Sequence, residues 1–282
     1  MDITEKQYQS WDLQEKDYDK LKVLLDGSGK YEALEMKAAL ADGFSGWWNG
    51  TSDNDQIICA AYITPQFVYL YGKSREPMVH LGKALARSQG KRSGDKTHSV
   101  FGPDDLVKAF WEGFQATGKD AIADIKLTLC ELTSVACKLN DAYMVRRAVK
   151  KDLPLVFEFY GEALIDDLGI DVRKVGKEAH EKNCQQLIEQ GNVILGYHRG
   201  KPAFIARTNE TPLGVFLENA YFPVAMRRPK VIRGIHARTA ELLLADTNAV
   251  LIYANATDEE LLAALEETGY RTVLSARLMR LR

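Results

Sequence analysis

GVFLENAYFPVAMRRPKVIRGIHA, residues 214–237, is the stretch whose reading decides the fold. A strand-like run ends at Tyr221, Phe222 and Pro223. A basic, irregular connection follows at Arg227, Arg228, Pro229 and Lys230, and helical spacing then runs to about Leu244. Strand, basic turn and helix start together make a place to hold an anion. Backbone N–H groups at a helix N-terminus point outward unpaired, and the helix dipole favours negative charge there. Whether this turn cradles a pyrophosphate decides the functional reading.

The rest of the composition narrows the classes. A chain of 282 residues has room for two ordinary domains. With 46% hydrophobic and 27% charged residues it is a soluble globular sequence. A net charge of −2 argues against bulk electrostatic binding to nucleic acid. No apolar run reaches the roughly 18–20 residues that span a bilayer. Residues 1–20 are polar and lack the apolar core of a signal peptide, so a cytoplasmic location is expected. Cys59, Cys130, Cys137 and Cys184 form no C-x-x-C pair and read as small buried hydrophobes. The histidines show neither H-x-x-x-H nor H-E-x-x-H spacing, so no metal is expected. The Gly-Ser-Gly-Lys at 27–30 fails as a phosphate loop. Leu24 stands at its first glycine position and Tyr31 at its Ser/Thr position, which leaves a plain turn.

Hydrophobic spacing predicts the elements in order. The first half reads as a helix over 31–40, then a loop over 43–54 carrying Trp47 and Trp48. A hairpin follows, with strands 56–63 and 67–73 joined through 64–66. Then come a helix over 77–87, a basic loop over 88–96, a strand over 99–102, a helix over 103–116 and a strand over 124–135. The second half reads as a strand over 143–149, a helix over 152–167 capped by Asp152 and stopped by Gly169, and a helix over 175–189. A hairpin (192–197, 202–207), the strand before the basic turn, the helix to 244 and a strand over 249–254 follow. A helix over 258–268 stopped by Gly269 and a strand over 271–281 close the chain.

The second-half order, β–α–α–β–β–β–α–β–α–β, resembles the GNAT superfamily of acyl-CoA-dependent N-acyltransferases over residues 143–282. The closing segment adds detail: Asn255 ends a strand, and the Gly269-Tyr270 pair stands before the last strand, as family members commonly have them. The first half looks like a more diverged copy. The expected fold is α/β (α+β), with two GNAT-like lobes over 1–139 and 140–282. Each lobe is a mixed, mostly antiparallel sheet flanked by helices.

The resemblance implies further roles. Coenzyme A would lie where two parallel strands splay, its pyrophosphate on a [QR]-x-x-G-x-[GA] turn that opens a helix. One register starts at Arg227 and puts Lys230 and Ile232 at the small positions. The other, around Arg233 and Gly234, puts Val231 first and His236 at a small position. The cofactor-binding candidates are Tyr221, Phe222, Arg227, Arg228, Lys230, Arg233, Gly234 and Asn255. Transfer to an amine needs a base and an acid. Glu218 is the candidate base. The family's acidic tyrosine position holds Leu265, so Tyr270 is the candidate acid, with Tyr253 nearby. Glu162, Asp166, Asp167 and Asp171 would offer a cationic amine an acidic surface. The implied function is acetyl-CoA- or other acyl-CoA-dependent N-acyl transfer to a primary amine on a small molecule or a protein, with acyl-CoA as cosubstrate. A homodimer fits this reading; membrane and nucleic-acid partners do not. The competing classes are a non-catalytic module that binds coenzyme A or another ligand or acts as a scaffold, and a transferase using a donor such as an aminoacyl-tRNA.

Overall fold

The computed structural model describes residues 9–43, 46–64, 67–88, 99–115, 120–138, 140–168 and 171–281. Residues 1–8, Pro65 and Gln66 of the expected hairpin turn, the basic loop beyond Ser88, and Gly169 lie outside the described residues. Contacts divide the chain into two compact units, Met1–Leu127 with Leu274–Arg282, and Thr128–Val273. No described helix is long and apolar enough to cross a membrane.

The first unit opens with β1 (Gln9–Asp12), α1 (Tyr18–Asp26), α2 (Leu34–Ala41) and β2 (Trp47–Asp53). It continues through β3 (Gln56–Ile63), β4 (Phe67–Gly72), α3 (Arg75–Ser88), β5 (Ser99–Pro103), α4 (Asp104–Gln115) and most of β6 (Ala121–Leu132). β1 to β4 pair antiparallel in sequence order, and β4 then pairs parallel with β5. The far side of β5 takes residues 276–280 from the end of the chain, antiparallel. Leu21, Leu24 and Met36 of α1 and α2 pack on one face, and Leu81, Phe110 and Phe114 of α3 and α4 on the other.

Residues 43–54, expected as a loop, contain the strand β2. Trp48 is buried while its neighbour Trp47 is exposed, so the side chains alternate as in a half-buried strand. Polar Asn49, Ser52 and Asp53 hide that pattern in the sequence, and pairing with β1 and β3 on both sides supplies the order. The Gly-Ser-Gly-Lys segment is the turn after α1, closed by Ser28 N–H to Leu25 O at 3.1 Å.

The second unit contains β7 (Tyr143–Arg147), α5 (Leu153–Leu168), α6 (Val172–Val175), α7 (Lys177–Glu189), β8 (Val193–His198), β9 (Lys201–Thr211) and β10 (Gly214–Tyr221). Then come α8 (Pro229–Leu244), β11 (Val250–Asn255), α9 (Glu259–Thr268) and the start of β12 (Arg271–Leu281). β7, β8, β9 and β10 pair antiparallel, β10 pairs parallel with β11, and the end of β6 lies beyond β11. α8 and α9 cover one face with Ile235 and Leu265; α5 and α7 cover the other with Val156 and Cys184. Each unit is therefore a mixed, mostly antiparallel sheet between helices, the α/β class that the spacing predicts.

Two local details differ from expectation. The helix expected over 175–189 is split into α6 and α7, which meet at Gly176. Asp152 does not cap α5 from outside. It closes a short 3-10 turn, accepting the Val149 N–H at 2.8 Å and two bonds from the Arg146 guanidinium at 2.7 and 2.8 Å.

Candidate functional site

The parallel pair β10 and β11 holds register over three positions, from Val215↔Val250 to Leu217↔Ile252, and no further. On its other side β10 slips against β9 between Glu218 and Tyr221. Asn219 absorbs the extra residue in a left-handed conformation, φ 48°. A bulge of this kind bends a strand and re-aims its side chains. Here it opens β10 away from β11 just beyond the last paired residue.

A polar group sits at that opening, on the face covered by α5. Glu218 stands opposite Arg207 in the ladder. One carboxylate oxygen accepts from Asn209 Nδ2 at 2.9 Å, and the other lies 3.6 Å from Arg207 Nε. That Nε is shielded from solvent and has no hydrogen-bond partner among the described residues. The Tyr160 hydroxyl, from α5, donates to Asn219 Oδ1 at 3.4 Å. Burial raises the Tyr160 phenol, and the nearby Arg207 guanidinium opposes that rise. Sequence reasoning missed Arg207, Tyr160 and Asn219. The strand alternation that places Arg207 beside Glu218 is written in β9, but the bulge that opens the site is not.

The basic turn is differently built from expectation. Arg227 is engaged: its Nε donates to Phe222 O at 2.8 Å, its guanidinium pairs with Asp166, and it lies 5.4 Å over the Tyr221 ring. Arg228 precedes α8 in extended conformation, and Pro229 opens the helix. Pro229 has no N–H, and those of Val231 and Ile232 return to Arg228 O at 2.8 and 2.9 Å. Among the described residues, that leaves the Lys230 amide in the first turn. The side chains of Arg228 and Lys230 are exposed and have no ion-pair partner among those residues. The fit to a pyrophosphate is partial: few backbone donors, two available cations.

The remaining candidates are scattered. Tyr221 and Phe222 are buried in opposite cores, Tyr221 under α5 and Phe222 under α8. Arg233 pairs with Glu267 of α9. Gly234 lets α8 lie against β7, since a Cβ there would come within 2.3 Å of the Tyr143 ring. Asn255 closes its own turn, accepting Thr257 N–H at 3.0 Å. Tyr270 is 3% exposed, its hydroxyl has no partner among the described residues, and burial drives its phenol far above the usual range. It lies beside His236 in the α8 core, away from Glu218, which belongs to the α5 face. Three of the four expected acids are paired, and the side chain of Asp167 lies outside the described residues. Arg173 reaches Asp171, Glu158 and Glu162 at 2.8–2.9 Å, and Arg227 takes Asp166.

No protein-family model matches the sequence, and no curated protein does. Solved structures do match. A GCN5-related N-acetyltransferase from Sphaerobacter thermophilus superposes with a TM-score of 0.65 at 13% identity, covering 97% of this chain and 95% of that one. A GNAT-family acetyltransferase from Colwellia psychrerythraea gives 0.58 at 10% identity, over 98% of this chain and 100% of the other. A tandem GNAT protein from the clavulanic acid biosynthesis pathway gives 0.54 at 11% identity, over 97% and 98%. Identities this low speak for backbone architecture alone, and on that ground the chain has the GNAT fold.

Proposed function

We propose that the chain is an acetyl-CoA- or acyl-CoA-dependent N-acyltransferase acting on a primary amine, with its reaction centre in the second unit. The observation that carries this reading is the parting of β10 and β11 after Leu217 and Ile252, with a carboxylate, Glu218, at the mouth of the opening. Acyl-CoA serves as cosubstrate. Arg228, Lys230 and the Lys230 amide would hold its phosphates, and Arg227 would brace the turn through Asp166. Glu218 would accept the proton from the ammonium. The amine nitrogen then attacks the thioester carbonyl, the C–N bond forms, the C–S bond breaks, and the thiolate leaves with the nitrogen's second proton as free thiol. Tyr270 is no part of this reading, because a sealed hydroxyl cannot hand a proton to a thiolate in the cleft.

Titration calorimetry with acetyl-CoA tests the proposal. Binding is expected to weaken about tenfold or more when Arg228 and Lys230 are both changed to Ala. Absence of binding to the unaltered chain would sink the enzyme reading.

A second reading has its own support. The family's acid position holds the buried Leu265 and the Tyr270 hydroxyl is sealed in the core, so neither offers the leaving thiolate a proton, which favours a binding module without turnover. Acetyl-CoA that binds but is never consumed across a panel of amines would select it.

A further inference from the structure

The polar group at the β10 bulge leaves one interaction unmade. Arg207 and Glu218 face each other across the ladder, yet their closest approach is 3.6 Å, and Arg207 Nε has no hydrogen bond. Both side chains keep more than a third of their surface, 39% for Arg207 and 36% for Glu218, so both can be reached. The other arginines of this face differ. Arg173 is saturated by three carboxylates, and Arg227 by Asp166 and the Phe222 carbonyl. Arg207 is engaged more lightly, by Glu218 at 3.6 Å and by the Tyr160 hydroxyl, and the rest of its guanidinium side chain is partly exposed.

We propose that the acceptor is a free α-amino acid, its ammonium taken by Glu218 and its carboxylate by Arg207. This rests on the acyltransferase reading above and narrows its substrate class. The two charges of an amino acid sit on the same carbon, so one molecule can bridge two side chains already placed as neighbours. A guanidinium matches a carboxylate with two parallel hydrogen bonds, which a simple amine cannot supply. An amine without a carboxylate would take up Glu218 and leave the Arg207 cation beside it without an anion. The Tyr160 hydroxyl and the Asn219 amide adjoin the pair and add further polar groups beside it. The chemistry balances. The ammonium gives one proton to Glu218, a C–N bond replaces the C–S bond, the second nitrogen proton leaves with the thiolate as free thiol, and the carboxylate passes through unchanged. The product amide carries no cation, so it loses its hold on Glu218 and can leave.

Titration calorimetry on the full chain tests this, with and without coenzyme A. The ligands are glycine and the common L-amino acids, each compared with its carboxamide and with its decarboxylated amine. At least one amino acid should bind about tenfold tighter than both of its analogues. Arg207→Gln should erase that preference while binding of the amine persists, and Arg207→Lys should keep part of it. Circular dichroism checks that the variants fold, and the analogue comparison on the unaltered chain stands without them. No amino acid binding, equal binding of the carboxamide, or a preference that survives Arg207→Gln overturns the assignment. The acetyl-CoA titration is a separate measurement, so failure of the substrate class and failure of the acyltransferase reading are told apart.

Discussion

The two units solve one topological problem and fill it with different chemistry. In each, a parallel strand pair runs for three residues and a helix follows the first strand of the pair: Phe67–Tyr69 against Ser99–Phe101 before α3, Val215–Leu217 against Val250–Ile252 before α8. The first unit keeps regular register between β3 and β4, whereas the second bulges at Asn219. At the parting of the strands the first unit lays down a cross-strand aromatic row, Trp48, Tyr62, Tyr69 and Phe101. Its rings meet in succession at 4.7, 6.0 and 6.0 Å, the last pair edge-on. The second places Arg207 and Glu218 in the row just beyond the last paired residues of β10 and β11. An aromatic row binds its own strands together, while a charged pair beside a bulge keeps hydrogen-bonding capacity for something else. The difference locates the chemistry proposed here, although the scaffold is shared.

The largest effect should come from exchanging that chemistry. Glu218→Gln keeps the Asn209 contact and the shape but removes the proton acceptor. It should lower kcat by about 10²–10⁴, the range a general base supplies. Tyr69→Leu, on the corresponding strand of the first unit, should leave kcat within about twofold, because a ring in a structural row acts through stability rather than chemistry. Steady-state acyl transfer, followed by release of free thiol, measures both. A Tyr69 variant as impaired as the Glu218 variant would end the division of labour between the units.

Stability should divide the other way. In the first unit, α3 and α4 touch backbone to backbone. A Cβ on Gly113 would sit 1.9 Å from Val79 O, and one on Gly82 would sit 2.1 Å from Phe110 O. Neither carbonyl can swing aside without parting the helices. In the second unit the close approach at Gly234 meets the Tyr143 ring, a side chain on an edge strand. Gly113→Ala should therefore cost about 3 kcal/mol, and Gly234→Ala about 1–2 kcal/mol as Tyr143 gives way. Urea unfolding of both variants reads the order directly. Equal losses would mean that the two helices are held to their sheets in the same manner.

Element order was legible because hydrophobic period is local: α3, α4, α8 and α9 all declare one apolar face, and β3 and β4 are continuous apolar runs. β2 was illegible because its residues are polar and small, and its order comes from two neighbours distant in sequence. The site was legible in part. Glu218 could be named from its place on the strand, but its partner Arg207 becomes visible only with the register. The engagement of Arg227 is not legible for a physical reason: a charge run in a turn looks available until Asp166, far off in sequence, is brought to it. Tyr270 was picked by its place beside Gly269, and its burial depends on α8, which sequence spacing does not dock.

The helices after the two strand pairs also differ in a histidine, and this yields the smallest of the expected effects. His80 of α3 is partly exposed, its pKa lowered by burial and then by Lys83 and Arg87. His236 of α8 is sealed among Phe204, Phe222 and Tyr270, and neither ring nitrogen has a partner among the described residues. Burial alone lowers its pKa from 6.5 to about 4. The unfolded chain therefore binds this proton more readily than the folded one. Its contribution to stability is complete above about pH 6.5 and drains away as pH falls toward about 4. Between about pH 7 and pH 5 the loss should be about 2 kcal/mol. His236→Phe, which keeps the ring packing and has nothing to protonate, should flatten that part of the profile, whereas His80→Phe should leave most of the slope in place. Urea midpoints taken across the range decide it. A slope that persists in His236→Phe would overturn the assignment, because Asp152 and Asp104, the carboxylates held by Arg146 and Arg277, have pKa values lowered from 3.8 and lose their stabilisation only below about pH 4.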